Sequence, residues 1–234
     1  MGTLIKFNGR SSDEFRLIVE HYPARPVPKR KFEKWSVPGR SGDLIAVQDA
    51  FENVNRRYEV YLSAEGPGLA PVAAAALQWL LEPGWHELED EYDVDTFCMA
   101  TYTGEADITN IQNSFGRFQL AFDCWPQRFL KSGARAVSAV QGGSLFNPTA
   151  YTAKPLIVVQ GNGSGTLTVN GTTLTLSNVD NLTLDCRDEE AWSGSTNRNS
   201  TVTGSYPALG AGENEISWTG GISAVEITPR WWTL

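Results

Sequence analysis

The dipeptide Asn170-Gly171, set between Leu167–Val169 and Thr172–Leu176, constrains the fold of this chain more than any other feature. Asn and Gly both tolerate positive φ, which the two central residues of a tight, twist-matched hairpin turn require. Apolar and hydroxyl side chains alternate on either side, the two-residue period of a strand with one buried face. Glu215–Thr219 and Ile222–Thr228 alternate likewise about Gly220-Gly221, which reads as a second hairpin. Gly161–Gly165 reads as a strand turn, because a phosphate loop would continue into Lys-Ser/Thr and open a helix. From Thr149 onward there is almost no helix signal, and roughly a hundred residues of this kind suit a β-sandwich.

The first half is expected to be mostly β. Leu4–Phe7 and Phe15–His21 read as strands around a polar turn at Asn8–Asp13. Pro23, Pro26 and Pro28 exclude a central strand and force an extended connection into a basic segment. A turn-rich loop, Ser36–Asp43, precedes strands at Leu44–Phe51, Arg57–Ser63, Phe97–Tyr102, Ala106–Ile111 and Phe118–Cys124, the last ended by Trp125-Pro126. One helix is expected. Pro71 suits a first turn, Ala73, Ala76, Leu77, Leu80 and Leu81 recur at helical spacing through Val72–Glu82, and Pro83-Gly84 stops it. Residues Lys131–Thr152 read as a junction, dividing the chain into a domain over 1–130 and a second over 131–234.

A length of 234 residues, 41% of them hydrophobic and 20% charged, suits a globular chain of one large or two ordinary domains. The longest apolar run, Pro71–Ala76, is far too short to cross a bilayer. No charged and apolar leader opens the sequence, and Lys6 stands where a myristoylation motif after Gly2 wants Ser or Thr, so folding in a cytoplasm is expected. Three cysteines, Cys98, Cys124 and Cys186, make a poor disulfide framework and match no zinc spacing; they read as buried thiols. The sequons at Asn162, Asn170, Asn181 and Asn199 read as turn asparagines.

Charge is unevenly spread. A net of −8 argues against nucleic acid as a partner. Between Arg25 and Arg40 six basic residues face one acid, Glu33, a local +5; between Glu82 and Asp107 nine acids stand without Lys or Arg, a local −9. Such patches are either two solvated faces or the two sides of a head-to-tail subunit contact. In the second case Lys29, Arg30, Lys31 and Arg40 meet Asp90, Glu91 and Asp93 of a neighbour.

Nothing in the sequence composes an active site. His21 and His86 lack a nucleophile motif. Asp185, Asp188, Glu189 and Glu190 crowd one expected turn, where a glycosidase needs two carboxyls facing across a cleft and a calcium loop needs a different spacing. No cofactor or metal is expected. Aromatics gather near the end, and Trp192, Tyr206, Trp218 and Trp231 are candidates for binding a partner or a sugar, with core packing as the alternative. Adjacent Trp231 and Trp232 must face opposite sides if extended.

Taken together, the motifs resemble the distal tail proteins, baseplate hubs of long-tailed, non-contractile phages. In the first half the resemblance rests on Phe7-Asn-Gly-Arg-Ser-Ser12, Val37-Pro-Gly-Arg-Ser-Gly-Asp-Leu-Ile45, Trp79–Leu81 and Phe118-Gln-Leu-Ala-Phe-Asp-Cys-Trp-Pro126. In the second half it rests on Asn147-Pro-Thr-Ala-Tyr-Thr-Ala-Lys-Pro155, Ile157–Gly161, Leu182–Cys186, Tyr206–Asn214 and Ile227–Trp232. The resemblance implies a mainly β fold: an N-terminal ring-forming β domain with one helix, then a galectin-like β-sandwich. It also implies a non-enzymatic homo-hexameric ring in the virion. The ring would join tail tube protein to tail-tip protein and carry receptor-binding proteins, with no required nucleic acid contact and no membrane insertion. The rival expectation is a carbohydrate-binding or adhesion β-sandwich protein.

Overall fold

The computed structural model describes residues 4–21, 23–64, 68–104, 108–111 and 114–234, and of 110 and 111 only the main chain. Gly2, the acids Glu105 and Asp107, and the start of the strand expected at 106–111 lie outside the described residues. The fold is mainly β, with one α-helix among the described residues, and divides into two units, residues 1–128 with Leu234 and residues 129–233.

The first unit runs β1 (Ile5–Phe7), β2 (Arg10–Ser11), β3 (Leu17–Val19), β4 (Arg30–Trp35), β5 (Leu44–Phe51), β6 (Val54–Ser63), α1 (Leu69–Leu80), β7 (His86–Asp90), β8 (Thr96–Tyr102), β9 (Thr109–Ile111) and β10 (Phe115–Cys124). An antiparallel sheet is ordered β2-β1-β7-β8-β10-β6-β3, with β9 on β10. Its inner face follows from alternation: Tyr58, Val60 and Leu62 of β6 lie opposite Leu120, Phe118 and Gly116 of β10. Burying each such leucine or phenylalanine stabilises the fold by about 1.5–3 kcal/mol.

Helix α1 lays Leu69, Ala76, Trp79 and Leu80 on this face. Trp79 is its anchor, stacked on Phe15 at 4.5 Å and donating its indole N–H to the Phe7 carbonyl at 2.9 Å. Leu81, expected in the stripe, is exposed because the helix has ended at Leu80.

Two expectations for this unit are corrected. Asn8-Gly9, at φ 50° and 74°, is a two-residue hairpin turn joining β1 to β2, followed by a 3-10 turn at Ser12–Phe15. The strand expected at Phe15–His21 shrinks to Leu17–Val19 because Arg16 sits at φ 56°. Basic Arg30–Trp35, which follows the proline segment, is a strand, and His86–Asp90 within the acidic segment is another; neither was placed from the sequence.

In the second unit β11 (Arg128–Leu130) spans the division, followed by β12 (Val137–Ser138), β13 (Gly143–Asn147), β14 (Leu156–Val169), β15 (Thr172–Val179), β16 (Leu182–Asp185), β17 (Glu190–Ser193), β18 (Thr196–Asn197), β19 (Val202–Gly204) and β20 (Gly212–Thr228). The order is β12-β20-β14-β16-β17-β18, with β13 on β20, β15 on β14 and β19 on β15. The hairpin at Asn170-Gly171 forms with φ 48° and 78°, pairing Val169 with Thr172.

Gly220-Gly221 is not a turn, and neither is Gly161–Gly165. Both lie inside the long strands β14 and β20, which pair with each other from Leu156 to Val169 through a register shift at these glycines. A side chain on Gly221 would meet the Asn162 carbonyl, and one on Gly161 the Gly221 carbonyl. Glycine here permits two backbones to cross closely where the sheet bends. Each long strand thereby supplies both ends of the core, with Ile157 and Val159 before the bend and Leu167 and Val169 after it. The segment expected as a junction is structural too, since its strands β12 and β13 both pair with β20.

Candidate interaction surface

Strands β4 and β5 pair only with each other, forming a two-stranded ribbon apart from the main sheet of its unit. Opposed residues of an antiparallel pair share a face. Phe32 with Val47 and Lys34 with Ile45 therefore form one face; Glu33 with Ala46 and Trp35 with Leu44 form the other. Both faces are apolar at their centre and both are open: Phe32 is 48% exposed, Trp35 49%, Ile45 57% and Val47 62%. A two-stranded ribbon is marginal alone in water, and its outer edges present unpaired backbone groups. Such a ribbon suits burial between other surfaces.

Basic side chains frame it. Arg30 lies over the Phe51 ring, with its centre 4.6 Å from the ring centroid, and reaches Asp49 at 3.4 Å; Lys34 lies over Phe32. Lys29, Arg30, Lys31 and Arg40 are all exposed, so the structure gathers the four basic candidates on or beside the ribbon. The apolar part of this surface was missed in the sequence. Its signal was the unbroken Leu44-Ile-Ala-Val47, apolar at both parities of one strand.

The acidic candidates separate. Glu91 is exposed and accepts from the Leu4 amide. Asp90 is buried instead of facing a neighbour: its Oδ2 takes Arg56 Nη1 at 2.8 Å and the Tyr58 hydroxyl at 3.0 Å, and its Oδ1 takes the amides of Tyr92 and Asp93. An aspartate on the inner parity of β7 must find partners inside, and it found an arginine on the inner parity of β6. Burial works against the Arg56 charge, but Tyr58, Cys98 and Asp90 outweigh it and hold the guanidinium above its ordinary value. Asp93 is half-buried and paired with Arg128 at 2.7 Å. Among the described residues, the acids left exposed in this segment are Glu82, Glu87, Glu91 and Asp95.

The aromatic candidates of the second unit differ in burial. Trp231, only 4% exposed, is core and has no free face for a partner. Tyr206 and Trp218 pack against the same core, and Gln141 bonds both the amide and the carbonyl of Trp218. Trp192 is half-buried on β17 opposite Thr183. The acidic turn is corrected as well: Asp185 is buried and gripped by both Nη atoms of Arg230, at 2.7 and 2.9 Å. All three cysteines are buried, and burial pushes the Cys186 thiol up to about 12. His86 packs edge-on against Phe7. Among the described residues no group of three or more His, Cys, Asp or Glu could hold a metal, and no helix is long and apolar enough to cross a membrane.

No family model and no curated protein matches this sequence. The architecture is nonetheless one already seen in a phage adsorption protein, which agrees with the resemblance carried by the motifs. The solved structure is that of the SPP1 Dit protein (gp 19.1), described as a paradigm of the hub adsorption apparatus in phages infecting Gram-positive hosts. It matches with a TM-score of 0.77 at 13% identity, and the match covers 100% of both chains.

Proposed function

We propose that this chain is a distal tail protein, a structural hub that closes into a homo-hexameric ring at the tip of a phage tail. The likeness of fold to the SPP1 hub over the full length of both chains carries the reading. The ring would join tail tube protein to tail-tip protein and carry receptor-binding proteins, as a virion component without enzymatic activity, assembled in the host cytoplasm. The second unit would be the galectin-like peripheral domain, folding on its own.

The ribbon β4–β5 supports self-association, because two open apolar faces match a contact that passes between copies. Charge sets the partner: Lys29, Arg30, Lys31 and Arg40 meet the exposed acids Glu82, Glu87, Glu91 and Asp95 of the next copy. Exposed ion pairs are each worth about 0–1 kcal/mol, so apolar burial holds the ring and charge chooses its register. Sedimentation of the purified chain is the test, with six-fold rings in electron micrographs as the expected outcome and a monomer as the contrary one. Reversing Lys29, Arg30 and Lys31 to Glu should weaken association, and Glu87, Glu91 and Asp95 to Lys in a mixed partner should partly restore it.

A further inference from the structure

We infer that Trp85, backed by Trp125, is the apolar seat on a neighbouring copy that receives one face of the β4–β5 ribbon, the face of Phe32, Val47, Lys34 and Ile45. The inference rests on the reading of this chain as a self-associating ring, and it names the surface that receives the ribbon. Trp85 immediately precedes β7 and Trp125 immediately follows β10. Their neighbours turn inward, His86 edge-on against the core residue Phe7 and Cys124 fully buried. The two tryptophans turn outward and meet, with ring centroids 5.7 Å apart and planes tilted by 58°. Two rings at that tilt present an angled apolar surface, and Trp85 is 40% exposed on it. A tryptophan held by a second ring offers a large contact area at little cost in side-chain freedom.

Charge selects the occupant and its orientation. Exposed Glu82 stands three residues before Trp85 and exposed Glu87 two residues after it, so acids flank the seat along the chain. A partner there must bring apolar side chains and positive charge together. The ribbon does so, with Phe32, Ile45 and Val47 between 48% and 62% exposed and the Lys34 ammonium 5.1 Å from the Phe32 ring centroid. Its two faces are not equivalent. The opposed pairs Phe32–Val47 and Lys34–Ile45 hold a cation and no acid, whereas Glu33–Ala46 and Trp35–Leu44 hold an acid and no cation. Glu33 would meet Glu82 and Glu87 as like charges, which rejects that orientation. Lys34 would meet them as opposite charges. Seat and ribbon are both open on one chain, so a copy on either side can fill each, as a head-to-tail contact requires.

The test is disulfide trapping between copies. Full-length Ile45→Cys and Glu87→Cys chains are mixed and treated with oxidised glutathione, whose disulfide is reduced to two thiols as the new one forms. The native Cys98, Cys124 and Cys186 are buried. Ala46→Cys in place of Ile45→Cys is the control for the other face. Cross-linked peptides are quantified by mass spectrometry and association by sedimentation. A bond between positions 45 and 87, about five-fold or more above that between 46 and 87, is expected because successive strand side chains point to opposite faces. Trp85→Ser should weaken association by about ten-fold or more, the cost of losing an aromatic anchor, and Trp85→Phe should keep most of it. If Trp85→Ser does not fold, the cross-link still decides. A wild-type ring in which position 45 cross-links no better than 46, or which Trp85→Ser leaves as tight, overturns the seat and leaves the ring standing. A monomeric wild type overturns the ring reading and the seat with it.

Discussion

The hairpin β14–β15 and the ribbon β4–β5 are both antiparallel pairs, but they place their apolar residues differently. In the hairpin Leu167, Val169, Leu174 and Leu176 occupy one parity and are buried, while threonines take the other and bond across it, Thr168 to Thr173 at 2.9 Å. In the ribbon Leu44, Ile45, Ala46 and Val47 are apolar at both parities, and all are exposed. One apolar parity needs one neighbouring layer, which the chain itself supplies. Two apolar parities in a two-stranded ribbon need two layers, and a second copy of the chain can supply what is missing. Within one molecule, the hairpin is a finished element and the ribbon an unfinished one.

The sharpest way to break this contrast is to remove the ribbon. Its ends already meet, since Glu52 N donates to Lys29 O at 2.8 Å, so a Gly-Ser link can replace residues 30–51 cleanly. Sedimentation should fall from ring to a single chain, from which only the 22 excised residues are missing, while thermal unfolding of the second unit is unchanged. A ring that survives would show that the ribbon is decorative.

The finished element should fail instead by losing its fold. Gly221→Val puts side-chain atoms where the Asn162 carbonyl lies, and two paired strands must separate to admit them. A loss of about 3 kcal/mol or more is expected in denaturant unfolding, with the first unit unaffected. A variant as stable as wild type would mean that β14 and β20 do not cross as closely as described.

These two regions also differ in how far the sequence revealed them. Asn170-Gly171 announced its turn because both residues must take positive φ there. Gly220-Gly221 carried a similar local signal but served a different end, a close crossing between strands far apart in sequence, which no local pattern encodes. The Asn8-Gly9 turn was hidden by flanking strands only two and three residues long. Arg30–Trp35 was hidden by charge, because Arg, Lys and Glu are uncommon in a strand with a buried face, and this strand has none. Asp90 was read as surface since acids usually are, whereas its parity on β7 points it at Arg56. In the second unit Trp231 was legible only as one of an adjacent pair, of which at least one had to be core.

A smaller effect tests the polar part of the finished unit. Burial pushes the Asp185 carboxyl up, but hydrogen bonds from Arg230 and the Arg187 amide outweigh it and hold the group below its ordinary value. Its stabilisation is therefore present above the unfolded carboxyl value of about 3.9 and is lost as pH falls through the lower folded value. Asp185→Asn should cost about 1–3 kcal/mol at neutral pH, because Arg230 keeps one acceptor and loses the opposing charge. The difference between variant and wild type should close as pH falls through that lowered folded value. A gap that stays constant from pH 7 to pH 2 would assign the loss to packing, not to charge.

The smallest expected effect separates finished from unfinished most cleanly. Gly171 sits at φ 78° in the hairpin turn and Gly42 at φ 83° in the ribbon loop, and an added Cβ meets nothing within 4 Å at either. Alanine is thus strained by backbone conformation alone at both sites, by about 1 kcal/mol. At Gly171 the strain falls on a turn whose strands belong to a packed core, so global unfolding in urea should register all of it. At Gly42 it falls on a ribbon that adds little to the core of its own unit, so urea unfolding of the isolated chain should stay the same. The strain should appear instead as weaker self-association, about five-fold for 1 kcal/mol per contact. Equal shifts in urea midpoint for Gly171→Ala and Gly42→Ala would mean that the ribbon is packed within its own chain, and the contrast between the two hairpins would fail.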